Sequence, residues 1–368
     1  MKVGIMSMQR IINYGSYMQA LGLKITIESL GHEVEFVDYV VEPCINKPKA
    51  REPQKVTLKS RIKNKVKKMI GRKNLFDPFW EYCRSYQRDM LPRLGVTSEM
   101  KYHTAVDTLV IGSDEVFNCL QDNPDVGYSK ELFGAGSNAK KLISYAASFG
   151  NTTMERLNAY GVAGEVKALL EKFDSISVRD ENSGKVIREM LGKEPVFHLD
   201  PVLISDYTPY LKDVADIRDY IIIYSYNCRF NEEESAVIRA FAKKRGRKLL
   251  AISGVQSCCD EYRYCAPEEV LSYFKHADCI ITDTFHGSIF SIINERPFVT
   301  IVRQSKGESY GNAEKLVDVL RRLHLENRIL TSLEDLEELM DQKIDYQSVN
   351  EIRAAERVRS INYLKENL

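Results

Sequence analysis

The sequence has little that would suit it to binding nucleic acid or crossing a membrane. Its 52 Lys and Arg residues are balanced by 52 Asp and Glu residues, so it lacks the positive surplus of nucleic-acid-binding domains. No run approaches the roughly 18 apolar residues that indicate a transmembrane helix. The first residues, MKVGIMSMQR, lack the apolar core and the small-residue cleavage site of a signal peptide. We therefore expect a cytoplasmic protein that does not bind nucleic acid.

The usual signatures of metal and nucleotide sites are also missing. The 8 cysteines include no CxxC pair, and no spacing brings four of them together as ligands. Reduced, buried thiols and no metal are therefore expected. The glycine-rich patterns GxGxxG and GxxxxGK[ST], which hold phosphates in nucleotide-binding folds, do not occur. We expect no bound cofactor.

Short β-rich runs alternate with helical patterns, which is typical of βαβ units and parallel sheets. Two sets of runs are separated by HLDPVLISDYTP, in which Pro201 and Pro209 disfavour a continuing helix. A boundary near residue 205 gives an α/β protein with domains at 1–205 and 206–368, the second ending in a C-terminal helix. The predicted strands are 2–7, 33–38, 107–111, 141–146 and 175–178, then 220–225, 248–252, 278–282 and 298–302.

Two helices have recognisable ends in the sequence. One begins after Asn231 with acidic residues in its first turn and ends with basic residues before Gly246. Another is predicted at 15–30, with apolar residues at helical spacing, and ends at Gly31.

Residues 47–73 form a helical insertion with a strongly unbalanced charge. They hold twelve Lys or Arg residues and a single acid, Glu52, and their apolar residues recur at helical spacing. The segment is therefore predicted to be a basic amphipathic helix. Such a helix packs its apolar stripe on the core, lies on an anionic membrane surface or reaches for an anionic acceptor. In the second case the protein would bind peripherally at the inner face of a membrane.

The loop after the first predicted strand leads directly into a helix. Unpaired backbone N–H groups and the positive end of the dipole make such a junction a site for an anion. A glycine there lets a ligand approach the backbone closely. The same residues also fit an ordinary N-cap, so an anion or acceptor site is one of two interpretations. The residues of this junction are Asn13, Tyr14, Gly15 and Ser16.

A second junction follows the strand at 107–111. Ser113 and Asp114 lie at its exit, where ligands bind in open parallel sheets. An acidic side chain held there can bind a sugar hydroxyl or move a proton. Asp114 could equally cap the following turn.

The most distinctive segment is ADCIITDTFHGSIFSIINERPFV, at 277–299. A strand with the composition of a buried one runs into an apolar helix, and His286 falls in the first turn of that helix. A histidine among apolar residues is usually packed in a core, but the adjacent Gly287 and the strand-to-helix position favour a functional role here.

These segments, with SYAASFG at 144–150, SVRDENS at 177–183 and LDPVLI at 199–204, resemble the polysaccharide pyruvyl transferase family. Their order and spacing match over nearly the full length. The resemblance implies two Rossmann-like domains facing across a cleft, as in GT-B glycosyltransferases. It also implies a transferase that moves pyruvate from phosphoenolpyruvate to a sugar, as a cyclic ketal, in a capsule, an exopolysaccharide or a lipid-linked precursor.

The resemblance also implies donor-binding residues. Arg179 in SVRDENS matches a family arginine expected to bind phosphoenolpyruvate, and His286 matches the family histidine at the head of the second-domain helix. Many members have Arg-Leu-His where this chain reads Thr-Phe-His, so we expect Arg303, just past the next strand, to supply the missing charge. The other residues of the expected donor site are Thr284, Gly287 and Ser288.

The donor needs several cationic or N–H partners, because its phosphate carries about −1.5 to −2 charge and its carboxylate about one more. We predict that His286 acts at the phosphate and Asp114 at the acceptor hydroxyl. Two alternatives remain. One is a GT-B glycosyltransferase that uses a nucleotide sugar, and the other is a non-catalytic protein that docks on membranes through residues 47–73.

Overall fold

The computed structural model describes residues 1–46, 76–121, 123–214, 217–303 and 313–368. The first of its two sheets is built from Lys2–Met6 (β1), Glu33–Phe36 (β2), Thr108–Asp114 (β3), Lys141–Ala147 (β4), Ser177–Val178 (β5) and Val196–Phe197 (β6). The strand order is β2-β1-β3-β4-β5-β6, and every neighbouring pair is parallel.

The second sheet is also parallel throughout. Its strands are Tyr220–Ser225 (β7), Lys248–Ser253 (β8), Glu261–Tyr262 (β9), Ile280–Thr282 (β10), Phe298–Ile301 (β11) and Ile329–Leu330 (β12). The order β12-β11-β10-β7-β8-β9 has its topological switch between β10 and β7, as in the Rossmann fold. The predicted α/β class with two Rossmann-like halves is confirmed.

The helices of the described residues connect these strands. They are Tyr14–Ser29 (α1), Phe76–Ser85 (α2), Leu91–Leu94 (α3), Met154–Ala159 (α4), Ala163–Leu170 (α5), Glu181–Leu191 (α6), Pro201–Ile204 (α7), Glu232–Lys244 (α8), Pro267–His276 (α9), Phe285–Ile293 (α10), Ala313–Arg322 (α11), Leu336–Asp341 (α12) and Tyr346–Asn367 (α13). A π-helical turn at Tyr86–Met90 and short 3₁₀ turns at Lys130–Phe133, Thr208–Tyr210, Glu326–Arg328 and Leu333–Asp335 complete the set.

Each predicted strand overlaps an observed one. The strands that the sequence did not predict, β6, β9 and β12, have two residues each and lie at sheet edges. Two residues carry no periodicity, so nothing in their sequence marks them as strands. Helix α8 begins as predicted, because Asn231 and Glu234 form a reciprocal capping box.

A continuous apolar core joins the two halves. In β3, Val110 packs into a cluster that both sheets share, whereas Leu109 packs into a cluster of the first half. In β7, Ile222 enters the shared cluster and Ile221 a cluster of the second half. Successive residues of a strand point to opposite faces, so both faces of each sheet are covered. The shared cluster fixes one sheet relative to the other.

Helix α13 returns from the second half to the first. The Tyr363 hydroxyl donates a hydrogen bond of 2.8 Å to the carbonyl oxygen of Ser144 in β4. The predicted range 206–368 placed this helix with the second domain, but its last turns pack on the first sheet. The predicted boundary near residue 205 follows α7, where the chain passes from one sheet to the other.

The predicted basic helix at 47–73 lies outside the described residues. Among the residues that the structure does describe, no helix has the length and apolar character needed to cross a membrane.

The buried imidazole of His198 makes the stability of the fold depend on pH. Its ring stacks on Tyr145, and its Nδ1 lies 2.8 Å from the Ser177 hydroxyl. Burial and the nearby Arg359 and Arg322 lower its pKa from 6.5 to about 4. As the pH falls, the unfolded chain therefore protonates His198 before the folded protein does. The folded state keeps its full stability above pH 6.5 and loses part of it as the pH falls toward 4.

We expect this group alone to lower the free energy of unfolding by about 2 kcal/mol between pH 8 and pH 5. Urea unfolding at the two pH values measures the loss, and His198→Asn should show a loss smaller by that amount. An equal loss in the two proteins would contradict the assignment.

Candidate active site

A cavity of about 460 Å³ lies between the carboxyl edges of the two sheets. Residues that follow β1, β3 and β5 form one wall, and residues that follow β7, β8 and β10 form the other. Its volume is in the range of small-molecule sites. The polar and charged residues of its wall include Ser16, Asp114, Glu115, Arg179, His286 and Lys315.

Arg179 is buried at the end of β5, with 3% of its surface exposed. Its Nη1 donates a hydrogen bond of 2.7 Å to Asp200 Oδ2, and the Phe285 ring covers the guanidinium plane at 4.3 Å. Burial would lower the pKa of Arg179, but the carboxylates of Asp200 and Asp114 raise it above its ordinary value. Among the residues that the structure describes, the Nε and Nη2 atoms have no hydrogen-bond partner. A buried, permanently charged group with two unused donors in a cavity wall is suited to an anion.

Asp200 holds this arginine in place. It is fully buried, and its Oδ1 accepts a hydrogen bond from the backbone N–H of Val202 as the N-cap of α7. Its Oδ2 also lies 3.3 Å from the Ser113 hydroxyl. In the sequence, Asp200 was noted only because the following Pro201 restricts the backbone. Its role in holding Arg179 was therefore not predicted. The LDPVLI segment was a signal that could have suggested it.

His286 lies in the first turn of α10, as predicted. The helix is N-capped by Thr284, whose hydroxyl oxygen accepts a hydrogen bond of 2.9 Å from Gly287 N–H. Burial lowers the pKa of His286 below 6.5, although the nearby Asp200 carboxylate acts in the opposite direction. This shift favours the neutral form of the imidazole. Its Nε2 lies 3.9 Å from Asp200 Oδ2 and has no hydrogen-bond partner in the described part of the chain.

The predicted junction after β1 reaches across to this histidine. Asn13 is the N-cap of α1, and its side chain accepts a hydrogen bond of 2.7 Å from Gly15 N–H. The Tyr14 hydroxyl donates to the carbonyl oxygen of Cys265 in the second half. A Cβ atom on Gly15 would lie 2.2 Å from the His286 ring. Gly15 is therefore needed for a close contact between the halves, and only Asn13 and Ser16 of the predicted junction line the cavity.

Asp114 lies in the cavity wall opposite the second half. Its Oδ2 accepts a hydrogen bond of 2.9 Å from the Ser16 hydroxyl, and its Oδ1 lies 3.7 Å from Arg179 Nη2. Its φ of 80° is in the left-handed region, which is costly for a residue other than glycine and is often found at functional sites. Ser113 is buried behind it and does not line the cavity.

Two charged residues of the wall were not predicted as site residues. Lys315, in α11, lies with its Nζ 2.5 Å from Oε1 of Glu115, which follows β3. The only sequence signal that Glu115 belongs to the cavity wall was its position next to Asp114 at the exit of the strand. Lys315 lies in an amphipathic helix with no motif around it.

Arg303 is not where it was expected. It does not line the cavity, and its Nε and Nη1 bond to Asp283 and Glu234 at 2.9 and 3.1 Å. Its charge is thus shared with acids of its own half, which corrects the expectation that it replaces the missing family cation. Gly287 and Ser288 also lie inside the second half, where the Ser288 hydroxyl contacts Thr300. Of the expected donor residues in this segment, Thr284 and His286 line the cavity.

The contact between Gly15 and His286 generates a prediction about packing. Gly15→Ala should overpack the junction and cost about 1–3 kcal/mol of unfolding free energy, although alanine is the better helix former. It should also shift the imidazole NMR signals of His286. Gly164→Ala is the matched control, because Gly164 lies in the first turn of α5 and a Cβ there meets nothing within 4 Å.

Urea unfolding and NMR of both variants test this prediction. The control should be neutral or stabilised by about 0.5–1 kcal/mol. A Gly15→Ala protein as stable as that control, with unchanged His286 signals, would show that the contact is not tight.

Solved structures that are similar to this chain include glycosyltransferases and an epimerase. A glycotransferase of kitacinnamycin is 13% identical, with 100% of this chain and 99% of that one covered and a TM-score of 0.46. The S. aureus MnaA–UDP co-structure is 12% identical, with coverages of 99% and 96% and a TM-score of 0.49. UDP-GlcNAc 2-epimerase from Neisseria meningitidis, bound to UDP-GlcNAc, is 9% identical, with both chains fully covered (100%) and a TM-score of 0.43. The fold assignment rests on the strand order and not on these distant similarities.

No curated protein sequence matches the chain. The model of the polysaccharide pyruvyl transferase family, however, matches residues 13–305. This range begins at the N-cap of α1 and contains Asp114, Arg179 and His286, so it includes residues of both walls of the cavity. The match covers most of the chain, and the protein is therefore a member of the polysaccharide pyruvyl transferase family of transferases.

Proposed function

We propose that the protein transfers pyruvate from phosphoenolpyruvate to two hydroxyls of a sugar, as a cyclic ketal, in a cell-surface polysaccharide or its lipid-linked precursor. Family membership supports a sugar or polysaccharide acceptor. The donor is inferred from one observation in particular. The buried guanidinium of Arg179 and the imidazole of His286 line the same cavity. Within the described ranges, Nε and Nη2 of Arg179 and Nε2 of His286 have no hydrogen-bond partner.

The remaining donors of Arg179 suit the anionic groups of phosphoenolpyruvate. Nε and Nη2 lie on one edge of the guanidinium and can bind two oxygens of a carboxylate or phosphate together. Asp200 occupies Nη1 and Phe285 covers one face. Arg179 thus offers one fixed edge to the donor, and little side-chain entropy is lost when the donor binds.

The proposed chemistry moves two hydroxyl protons. A proton is added to the methylene carbon of the donor, which becomes a methyl group and leaves the central carbon electrophilic. One sugar hydroxyl forms a bond to that carbon and loses its proton. The bond from carbon to the phosphate oxygen then breaks, and the second hydroxyl closes the ring. In total, one hydroxyl proton ends on the methyl group and the other on the released phosphate.

His286 and Asp114 are assigned to the two sides of this reaction. The neutral imidazole next to Arg179 can exchange a proton with the phosphate. Asp114, in the wall of the first half, can accept the proton of a sugar hydroxyl, with its carboxylate oriented by the Ser16 hydroxyl. The backbone strain at Asp114 is consistent with such a role.

The acceptor enters where the wall is open to solvent. Ile12 and Tyr226 both line the cavity and remain 39% and 49% exposed, so they mark its mouth. A lipid-linked acceptor would bring the protein to a membrane surface. Peripheral binding there through residues 47–73 and a cytoplasmic location remain part of the proposal.

Phosphate release on mixing the protein with phosphoenolpyruvate and candidate lipid-linked sugars tests the function. His286→Gln should lower kcat/KM by at least about a hundredfold, the usual contribution of a general acid or base. His276→Gln is the control. This histidine lies at the end of α9, forms a hydrogen bond with Asp213 and does not line the cavity. Normal turnover by His286→Gln would remove His286 from the mechanism. Binding of a nucleotide sugar, with no phosphate released from phosphoenolpyruvate, would favour the glycosyltransferase instead.

Donor binding should be linked to proton uptake. His286 has a pKa below 6.5 in the empty site, and the negative charge of the donor should raise it. Between the two pKa values the complex holds more protons than the separate components, so donor affinity should increase as the pH falls from the bound-state pKa toward the lower pKa of the empty site. Calorimetry at pH 7.5 in buffers of different ionisation enthalpy measures the uptake. The same uptake in His286→Gln would contradict this assignment.

A further inference from the structure

A second buried ion pair joins the two walls of the cavity. Lys315 belongs to α11 of the second half, and Glu115 follows β3 of the first. Their side chains are 14% and 8% exposed, and Nζ lies 2.5 Å from Oε1. The pair is therefore a charged contact across the cleft, and both partners line the cavity.

The charge of Lys315 acts on His286, the proposed catalytic group. Its positive charge contributes to the lowered pKa of His286 and opposes the raised pKa of Tyr226 at the cavity mouth. An ammonium group in this position is within electrostatic reach of any anion that contacts His286.

Counting charges shows why this lysine matters. The described wall carries two permanent cations, Arg179 and Lys315, and a donor with about three negative charges must find partners among them. If Arg179 left Asp200, a carboxylate with no solvent access would lose its counter-charge. The pair of Lys315 and Glu115 is slightly more exposed, at 14% and 8%.

Glu115 has a second hydrogen bond that remains if Lys315 moves. Its Oε2 accepts a hydrogen bond of 2.9 Å from the side-chain amide of Asn118. The carboxylate therefore keeps a donor in the protein when the ammonium group turns toward another anion, and the exchange leaves no carboxylate without a partner.

We propose that Lys315 is a ligand of the donor phosphate, held by Glu115 in the empty site and transferred to the phosphate when the donor binds. The inference rests on the proposed function, since it assumes a phosphorylated donor in this cavity. Lys315 lies beyond the range 13–305 that the family model matches. No covalent step is involved, because one ion pair replaces another.

The competing account is that the pair simply ties the two halves together. The two accounts differ for Glu115→Gln. Neutralising the glutamate removes the negative charge that faces the ammonium group of Lys315, and an incoming phosphate would supply negative charge in its place. A ligand role therefore predicts tighter donor binding in this variant, whereas a purely structural tie predicts weaker or unchanged binding.

Calorimetric Kd values for phosphoenolpyruvate, measured on the full chain without acceptor, test the proposal. Lys315→Met should weaken binding by about tenfold to a hundredfold, as expected for the loss of a charge-assisted contact. Lys315→Arg should stay within about threefold, and Glu115→Gln should bind about threefold to tenfold more tightly. Lys244→Met is the matched control, because Lys244 forms a 2.5 Å pair with Glu337 outside the cavity.

An unchanged Kd in Lys315→Met would overturn the proposal, and so would a loss in Glu115→Gln as large as that in Lys315→Met. Unfolding curves identify a variant that fails to fold, in which case Lys315→Arg and Glu115→Gln decide. Inorganic phosphate is the second probe. If the wild-type protein binds phosphate but not phosphoenolpyruvate, the proposed function fails. Equal phosphate affinity in wild type and Lys315→Met would then overturn the lysine's role separately.

Discussion

The carboxylate of Asp200 has no contact with solvent, and the position of Arg179 depends on it. A buried carboxylate must have its hydrogen bonds satisfied, and the Val202 N–H and Arg179 Nη1 satisfy this one. Removing one partner of a buried ion pair typically costs about 3–5 kcal/mol. The arginine therefore cannot turn away, and its other edge is left for a ligand. His286, 3.9 Å from the same carboxylate, places the second half of the protein against this fixed point.

The site belongs to neither half alone, and the shared core explains how it is held together. Residues of both sheets enter one apolar cluster, so the carboxyl edges above it cannot separate without exposing apolar surface. Gly15 allows α1 to approach the ring of His286 at a distance that any side chain would prevent. The cavity is thus formed before a ligand arrives, which lowers the entropic cost of orienting two substrates.

The sequence predicted that Arg179 and His286 would lie close together, and in the structure both line one cavity. Arg179 and His286 follow strands, and residues at the carboxyl ends of parallel strands meet at one edge. Arg303 also follows a strand, but Asp283 takes its guanidinium, and such a pairing between distant segments cannot be seen in one sequence. Lys315 lies in a helix that only the folded chain brings to the cavity. The edge strands of two residues were missed because they carry no pattern, whereas the buried central strands were found.

The pairing of charges in the empty cavity also bears on which anions can bind. Arg179 and Lys315 each contact a carboxylate, and the lowered pKa of His286 favours its neutral form, so the described part of the site has little unpaired positive charge. A monoanion gains little here, because it must compete with carboxylates already in place. A compact ligand with a phosphate and a carboxylate can bind the remaining edge of Arg179, draw Lys315 from Glu115 and raise the pKa of His286 in one event. Under the proposed function, a cavity whose cations are already paired would discriminate by the total charge and the spacing of the ligand's anionic groups, more than by shape alone.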